Sequence, residues 1–215
     1  MRIVSVNVGL PRRLESNDRA TTTAILKEPV VSRVRIRRLN LDGDRQADLR
    51  VHGGPAKAVY AYPVEHYGYW QDELERELAF GSFGENLTVE GLPLEDELAI
   101  GDRLRAGTAE LVVTQPRIPC FKLGMRFRDP RMVKRFLAAG RTGYYLSVAR
   151  EGHVETGDTI EVVSRHPAGV SVAAVTRAYA GQRRDASMVE RLASLEPLPH
   201  DWRAFFGKRL ASTVG

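Results

Sequence analysis

A short segment around the only cysteine constrains this chain more than any other part of the sequence. Residues 112–123 run Val-Val-Thr-Gln-Pro-Arg-Ile-Pro-Cys-Phe-Lys-Leu and end a predicted buried strand. Pro116 and Pro119 fix their own φ angles and push the residue before each of them toward extended backbone. A helix cannot continue through this segment, so we expect Cys120 in a stiff turn at a defined position.

The charges around Cys120 favour a functional thiol. Arg117 and Lys122 lie within three residues of it, and nearby positive charge favours the thiolate, which is the form that binds metals and attacks electrophiles. The alternative is a structural role, because free cysteine is among the most buried residue types. The two prolines and the flanking cations favour the functional interpretation.

The composition is that of a folded globular protein with one sizeable core. Of 215 residues, 43% are hydrophobic and 27% are charged, which excludes a disordered chain. A single cysteine excludes an intrachain disulfide and a multi-cysteine zinc or iron–sulfur site. The sequence contains no apolar signal segment and no long apolar run, so we expect a cytoplasmic protein without membrane association.

The net charge of +5 and the pI near 9.5 leave several partners open, nucleic acid among them. In the most basic stretch, Arg33, Arg35 and Arg37 alternate with Val34 and Ile36, which predicts a strand with one solvated face. No aromatic residues are interleaved with these arginines, and no known nucleic-acid-binding motif accompanies them. Binding to nucleic acid is therefore not the expected function.

The hydrophobic pattern predicts a mainly β domain followed by a helical module. Alternation predicts strands over residues 2–10, 24–26, 30–39, 58–62, 87–89, 103–114, 144–150 and 159–164, with the last two paired as a hairpin. Helical spacing predicts a helix over residues 65–78 and another around 132–137 that ends at Gly140. Three further helices are predicted beyond Pro167, the second of them capped by Asp185. The predicted domains are residues 1–166 and residues 167–215.

Two loops carry candidate ligand-binding groups. His52, Gly53 and Gly54 precede Lys57, and paired glycines let backbone N–H groups approach an anion while the two basic side chains add charge or hydrogen bonds. Asn86 follows a glycine-rich loop and offers both a donor and an acceptor to a heterocycle. Each segment is also compatible with an ordinary turn.

Several short motifs, taken together and in order, resemble one protein family. They are L-D-G-D at residues 41–44, H-G-G at 52–54, Y-A-Y-P at 60–63, F-G-E-N-L at 83–87, G-D at 101–102 and T-Q-P-R-I-P-C-F-K-L at 114–123. This succession resembles the MOSC family, named for the C-terminal domain of molybdenum cofactor sulfurases, and more narrowly its YiiM-type proteins. The resemblance covers nearly the whole chain. It implies a mainly β fold, a MOSC-type β-barrel with peripheral helices and a small C-terminal three-helix appendage.

The resemblance also implies a molybdenum cofactor, molybdopterin, which is a pterin dithiolene with a terminal phosphate. Cys120 would be the metal ligand and the catalytic residue, and a soft thiolate suits such a sulfur-rich centre. Charged and amide groups would hold the phosphate and the pterin. The cofactor-binding candidates are His52, Gly53, Gly54, Lys57, Asn86, Thr114, Gln115, Arg117 and Lys122.

The activity implied by the resemblance is reduction of N-hydroxylated nucleobases and hydroxylamines by a molybdenum-dependent oxidoreductase, a detoxifying role. A separate flavin or iron–sulfur reductase would supply electrons, because the sequence has no dinucleotide-binding fingerprint and no second redox centre. No Ser/His/Asp or paired-carboxylate constellation suggests hydrolysis. Two alternatives remain open: a carrier that holds a persulfide on Cys120 for cofactor sulfuration, and a non-catalytic nucleic-acid-binding module.

Overall fold

The computed structural model describes residues 1–16, 19–48, 53–181 and 185–214, without the side chains of residues 213 and 214. Within these ranges, strands come first and helices dominate the last fifth of the chain. The strands are β1 (Arg2–Val8), β2 (Arg12–Ser16), β3 (Arg19–Thr23), β4 (Glu28–Val30), β5 (Val34–Ile36), β6 (Val59–Pro63), β7 (Leu87–Glu90), β8 (Arg103–Ala106), β9 (Ala109–Pro116), β10 (Tyr144–Arg150), β11 (Gly152–Val154) and β12 (Ile160–Ser164). The helices are α1 (Glu65–Leu74), α2 (Phe121–Phe127), α3 (Met132–Ala139), α4 (Val172–Ala180), α5 (Ala186–Ser194) and α6 (His200–Val214).

Eight of the described strands form one mixed sheet in the order β12-β8-β9-β10-β6-β7-β1-β4. Neighbouring strands in it run antiparallel, except that β6 and β7 pair in parallel with Ala61 opposite Leu87. Two smaller antiparallel pairs, β2 with β3 and β5 with β11, lie outside this sheet. The fold is therefore dominated by a sheet of non-local pairings.

The sheet comes close to closing on itself but does not form a continuous barrel. Arg2 of β1 makes an isolated bridge to Thr159, just before β12. The Ile3 amide donates to the Asp158 carbonyl at 2.9 Å, and the Ile3 carbonyl accepts from the Gly157 amide at 2.8 Å. No continuous β1–β12 ladder exists among the described residues, and β4 and β12 remain the ends of the strand order. The sheet-dominated fold with several helices is confirmed, whereas the closed barrel is not.

The main hydrophobic core lies inside the sheet and extends into the three C-terminal helices. Val175, Leu192 and Phe206 from these helices are buried in the same cluster as Leu111 and Val113 of β9. Helix α4 is also fixed by its first turn, because the Val172 amide donates to the Leu98 carbonyl at 2.9 Å. The three helices thus pack on the sheet through a shared core, while a domain boundary at residue 166 stays a prediction.

A second, aromatic cluster packs α1 and α3 against β6. Trp70 stacks on Phe136 with ring centroids 5.6 Å apart, and Tyr62 stacks on Phe83 at 4.5 Å. The Trp70 indole N–H donates to the Tyr62 hydroxyl at 2.8 Å, which satisfies a buried donor. Tyr67 and Trp70 of α1 are both core residues, as their helical spacing predicts.

Strand pairing differs from the prediction in two places. The single strand expected over residues 103–114 is a hairpin, because Gly107 adopts a left-handed φ of 53° between β8 and β9. The hairpin expected between residues 144–150 and 159–164 is wrong: β10 pairs with β9 and β6, and β12 pairs with β8. Both errors arise because alternation identifies strands but does not choose their partners.

Four local predictions are also either corrected or confirmed by the structure. Residues 24–26 are not a strand, and α1 ends at Leu74 because Glu75 takes a left-handed φ of 51°. The predicted Gly140 stop is confirmed, with φ 67° at the end of α3. The strand expected over residues 30–39 is confirmed only as β5, so Arg35 lies on an exposed strand face while Arg33 and Arg37 are exposed just outside the strand. No helix in the described ranges is both long enough and apolar enough to cross a bilayer.

Candidate functional site

A cleft of about 90 Å³ lies beside Cys120. It is formed where β6, β9 and β10 meet the loops that follow β3, β5 and α1. The lining residues are Thr23, Ala24, Ile25, Lys27, Asp44, Arg45, Gln46, Ala47, Lys57, Tyr60, Phe83, Gly84, Asn86, Arg117, Cys120, Lys122 and Tyr145.

Cys120 stands at the N-cap position of α2. Its backbone is extended, with φ −120° and ψ 174°, and its carbonyl accepts the first helical hydrogen bond from the Leu123 amide at 2.9 Å. The prolines prevent a helix from running through residues 116–119, but they allow one to begin immediately after Pro119. The side chain of Cys120 is half-buried in the wall of the cleft, so the thiol is both fixed and accessible.

Arg117 brings a buried guanidinium to the same cleft. The residue is only 5% exposed, and its Nη1 has no hydrogen-bond partner among the described residues. The guanidinium lies 5.6 Å from the ring centroid of Tyr60 and 5.3 Å from that of Phe136, which are cation–π distances. An unsatisfied buried N–H is costly, so this group is suited to an anionic acceptor entering the cleft.

Gly143 lets β10 begin close against β6, next to Arg117. It has a left-handed φ of 61°, and a Cβ at this position would lie 2.6 Å from the carbonyl oxygen of Ala61. The Arg117 amide faces the Gly143 carbonyl at 3.5 Å. Two residues after Gly143, Tyr145 lines the cleft. Burial raises the pKa of its hydroxyl, and the positive charge of Arg117 offsets only part of this shift. Tyr145 therefore remains a neutral donor at physiological pH.

The glycine-rich loop before β6 delivers Lys57 to the cleft. Gly54, with φ 98°, precedes a 3-10 turn over Pro55–Lys57, and its carbonyl accepts from the Lys57 amide at 3.0 Å. Burial lowers the pKa of Lys57, and the charge of Asp201 opposes this shift. Gly53 and Gly54 are not themselves lining residues, and His52 lies outside the described residues.

Asn86 lines the cleft but uses its amide within the protein. Its Oδ1 accepts from the Tyr60 amide at 3.1 Å, and its Nδ2 donates to Asp44 Oδ2 at 3.0 Å and to the Asn7 carbonyl at 3.3 Å. Asp44 is also ion-paired to Lys27, whose side chain is 9% exposed. The network fixes the wall of the cleft, so a ligand-contacting role for Asn86 stays a prediction.

Thr114 and Gln115 lie behind the cleft and not on its surface. The Thr114 hydroxyl is 2.7 Å from the Ala56 carbonyl and 3.0 Å from the Tyr145 carbonyl, which ties β9 to the 3-10 turn and to β10. Gln115 is 1% exposed, and its Oε1 has no hydrogen-bond partner among the described residues. Direct cofactor contacts from these two residues remain predictions.

The cleft is strongly cationic. Of the predicted site residues, it brings together Lys57, Asn86, Arg117, Cys120 and Lys122. In the described part of the chain, the basic lining residues are Lys27, Arg45, Lys57, Arg117 and Lys122, against the single carboxylate of Asp44. A low-dielectric cleft with this imbalance attracts an anionic ligand.

Sequence reasoning missed several lining residues. Asp44 and Tyr60 fall within two of the motifs that indicate the family, so a signal existed for them. Lys27 and Tyr145 belong to no motif, and only the fold brings them to the cleft.

A metal at this site would need ligands from outside the protein. Across the described ranges, no cluster of three or more His, Cys, Asp or Glu side chains is arranged to hold a metal ion. One thiolate at the cleft is therefore compatible with a metal that arrives already ligated, and not with a metal held by the protein alone.

Two family models and several known proteins match this chain. Residues 48–161 match the MOSC domain, and residues 170–213 match the YiiM-like 3-alpha helix domain. The Bacillus subtilis protein YflK is 42% identical over 207 residues, which cover 96% of this chain and 93% of that protein. A Gibberella moniliformis protein named Reductase is 36% identical over 148 residues, covering 67% of this chain and 26% of that protein.

The fold is also found in a solved structure. The crystal structure of YiiM from Geobacillus stearothermophilus superposes with a TM-score of 0.82 at 36% identity, and the alignment covers 97% of this chain and 98% of that chain. The chain therefore belongs to the MOSC domain family, within the group that carries the YiiM-like three-helix domain.

Proposed function

We propose that this protein is a molybdenum-cofactor-dependent reductase of N-hydroxylated compounds, with Cys120 as the protein ligand to the metal. The observation that carries the proposal is that Cys120 lines one cleft with the buried guanidinium of Arg117, whose Nη1 has no hydrogen-bond partner among the described residues. A soft thiolate suits a sulfur-rich metal centre, and a guanidinium suits a phosphate. The residues present therefore fit a cofactor that contains both groups.

The bound cofactor would supply two-electron oxygen-atom transfer, and the protein would supply position and charge. The N-cap geometry holds Cys120 at the end of a rigid turn. Arg117 and Lys57 would hold the anionic end of the cofactor through charge-assisted hydrogen bonds. Tyr145, kept neutral by burial, would be a proton-bearing donor toward the oxygen of an N–OH group.

Electrons would come from a separate flavin or iron–sulfur reductase. The sequence contains no dinucleotide-binding fingerprint. The name of the fungal relative, Reductase, supports a reductive role, and the part of it that aligns with this chain is 26% of its length.

Metal analysis of Cys120 variants tests the proposal. We expect wild-type protein from a host that makes molybdenum cofactor to contain molybdenum and pterin and, with an electron source, to reduce an N-hydroxylated base. Cys120→Ala and Cys120→Ser remove the soft donor, so both should lose this reduction. Folding should be retained, because Cys120 makes no side-chain capping hydrogen bond and serine at an N-cap is favourable by about 0.5–2 kcal/mol relative to alanine.

Two outcomes would overturn parts of this proposal. A folded, cofactor-loaded Cys120→Ser variant that turns over at the wild-type rate would exclude Cys120 as the essential ligand. Wild-type protein with cyanolysable sulfur but no molybdenum would instead support the persulfide carrier.

A further inference from the structure

A second basic cleft is lined by residues of the loop after α1 and of α2, and both of these segments also contribute to the first cleft. It has a volume of about 220 Å³ and is lined by Arg76, Glu77, Leu78, Ala79, Ser82, Arg126 and Phe127. The two clefts share structural elements: Phe83 lines the first and Ser82 the second, while Lys122 lines the first and Arg126 the second. Positions 122 and 126 lie on one face of α2, about 6 Å apart along its axis.

The second cleft holds two guanidinium groups without acidic partners. In the described part of the chain, neither Arg76 nor Arg126 forms an ion pair or a side-chain hydrogen bond, although Glu77 lies at the rim. Arg76 lies over the Phe127 ring at 5.4 Å. The Ser82 hydroxyl is already used, since it donates to the Ala79 carbonyl at 2.5 Å.

The positive charges of Arg76 and Arg126 repel each other. Arg126 is half-buried, and burial lowers its pKa, as do the charges of Arg12 and Arg76, while the charges of Glu85 and Glu28 oppose the shift without cancelling it. Arg12 is satisfied by Glu28 at 2.6 Å, so it is not available to a ligand. A bound anion would relieve the repulsion between Arg76 and Arg126 and would compensate the desolvation of Arg126.

We propose that Arg76 and Arg126 form a phosphate subsite, and that the first cleft therefore acts on N-hydroxylated nucleotides in preference to free bases or nucleosides. Arginine binds phosphate oxygens in pairs through its planar fork. Arg126 lies one helical turn beyond Lys122, which lines the first cleft, so a ligand bound in the first cleft could extend its phosphate to Arg126. The substrate assignment rests on the proposed function, whereas the phosphate subsite does not.

Calorimetric binding of cytidine 5′-monophosphate, cytidine and inorganic phosphate to cofactor-free protein tests the subsite. We expect wild type to prefer the nucleotide over the nucleoside by at least about tenfold in Kd. The double variant Arg76→Gln/Arg126→Gln should lose this preference. Arg105→Gln changes the net charge at an exposed site on β8 and should keep it. Equal affinity for nucleotide and nucleoside, or an unaffected double variant, would overturn the subsite.

A measurement of Tm shows whether a loss of nucleotide binding in the double variant comes from a loss of folding. Because the substitutions remove the repulsion between like charges but also the contact of Arg76 with the Phe127 ring, the double variant should melt near the wild-type Tm. If Arg126→Gln fails to fold, Arg76→Gln alone, at an exposed position, must still weaken nucleotide binding at least about threefold. Unchanged binding in Arg76→Gln would overturn the proposal.

Two further comparisons show whether the subsite binds the phosphate of the substrate or that of the cofactor, and whether nucleotide binding is accompanied by reduction. If the preference for the nucleotide disappears in cofactor-loaded protein, the subsite belongs to the cofactor phosphate and the substrate assignment is wrong. In loaded protein, N4-hydroxycytidine 5′-monophosphate should have a lower KM than N4-hydroxycytidine, and equal KM values would also overturn the assignment. Preserved nucleotide binding without reduction of either compound would overturn the proposed function and leave the subsite standing.

Discussion

Arg117 illustrates how a single side chain can be unfavourable for folding and favourable for binding. Its Nη1 is buried without a partner among the described residues, so a ligand oxygen would gain a charge-assisted hydrogen bond of about 1.5–3 kcal/mol. Arg117→Ala should reduce the pterin retained per chain at least about tenfold after gel filtration. Arg117→Lys should give an intermediate value, because it keeps the charge but not the planar fork.

Arg131→Ala is the matched control, because the Arg131 side chain is 83% exposed. It should keep the wild-type pterin content. Equal pterin content in Arg117→Ala and wild type would show that Arg117 does not hold the cofactor.

At the residue scale, sequence reasoning found the groups whose local pattern is unusual. Cys120 was predicted from its position directly after the two prolines, Arg117 was predicted from its charge close to Cys120, and both line the cleft. Asn86 was also predicted, but the pattern could not show that its amide is committed to Tyr60, Asp44 and Asn7. Hydrogen-bond partners that are distant in sequence become visible only in the fold.

At the scale of elements, the loop over residues 81–86 depends on one buried carboxylate. Glu85 is fully buried and accepts hydrogen bonds from the Gly81 amide at 2.9 Å, the Phe83 amide at 3.1 Å and the Thr88 hydroxyl at 3.1 Å, as well as from the Tyr67 hydroxyl. Glu85→Gln would replace one accepting oxygen by an NH₂ group facing a donor. The variant should lose about 1–3 kcal/mol in urea unfolding at neutral pH.

The same loop gives a pH dependence with a defined sign. Burial raises the pKa of Glu85 above its ordinary value near 4.5, although its hydrogen bonds oppose the shift. The folded state therefore binds more protons between the ordinary and the raised pKa, so the contribution of Glu85 to stability falls as pH rises through that window. The loss of unfolding free energy caused by Glu85→Gln should accordingly be largest at the acidic end of this pH window. The exposed Glu77→Gln should change stability by no more than about 0.5 kcal/mol, and an equal loss in both variants would contradict this role of Glu85.

The elements themselves were easier to predict than their arrangement. Strand β10 was predicted with its observed bounds, but its partners β9 and β6 were not. Alternation reports which residues face the core, whereas pairing depends on contacts between segments that are distant in sequence. For the same reason, the cleft could be anticipated from its cysteine loop but not from Lys27 or Tyr145.

At the scale of the whole molecule, the shared core predicts that the sheet and the C-terminal helices unfold together. Leu192 of α5 is fully buried in the cluster that includes β9. Leu192→Ala should therefore cost about 2–5 kcal/mol. The chain has two tryptophans, so in a Trp202→Phe background the fluorescence of Trp70 reports only on the aromatic cluster. Its melting transition should shift by the same amount as the helical circular dichroism signal.

Val163→Ala, at a position 44% exposed on β12, is the control and should leave both signals near their starting Tm. Two separate transitions, with the Trp70 signal unmoved by Leu192→Ala, would show that the helical module is energetically independent. In that case the boundary at residue 166 would also be a folding boundary.

The contacts of β1 also affect the time course of synthesis. β1 pairs with β7 in the middle of the chain, and Ile3 exchanges backbone hydrogen bonds with residues 157 and 158. At typical translation rates of about 5–20 residues per second, residues 157 and 158 are synthesised roughly 8–30 s after β1. During that interval, β4 can cover only one edge of β1, so the backbone groups of its other edge and buried-type side chains such as Ile3 and Val6 are open to other chains. Nascent chains of this protein are thus expected to depend on holding chaperones more than their modest length suggests.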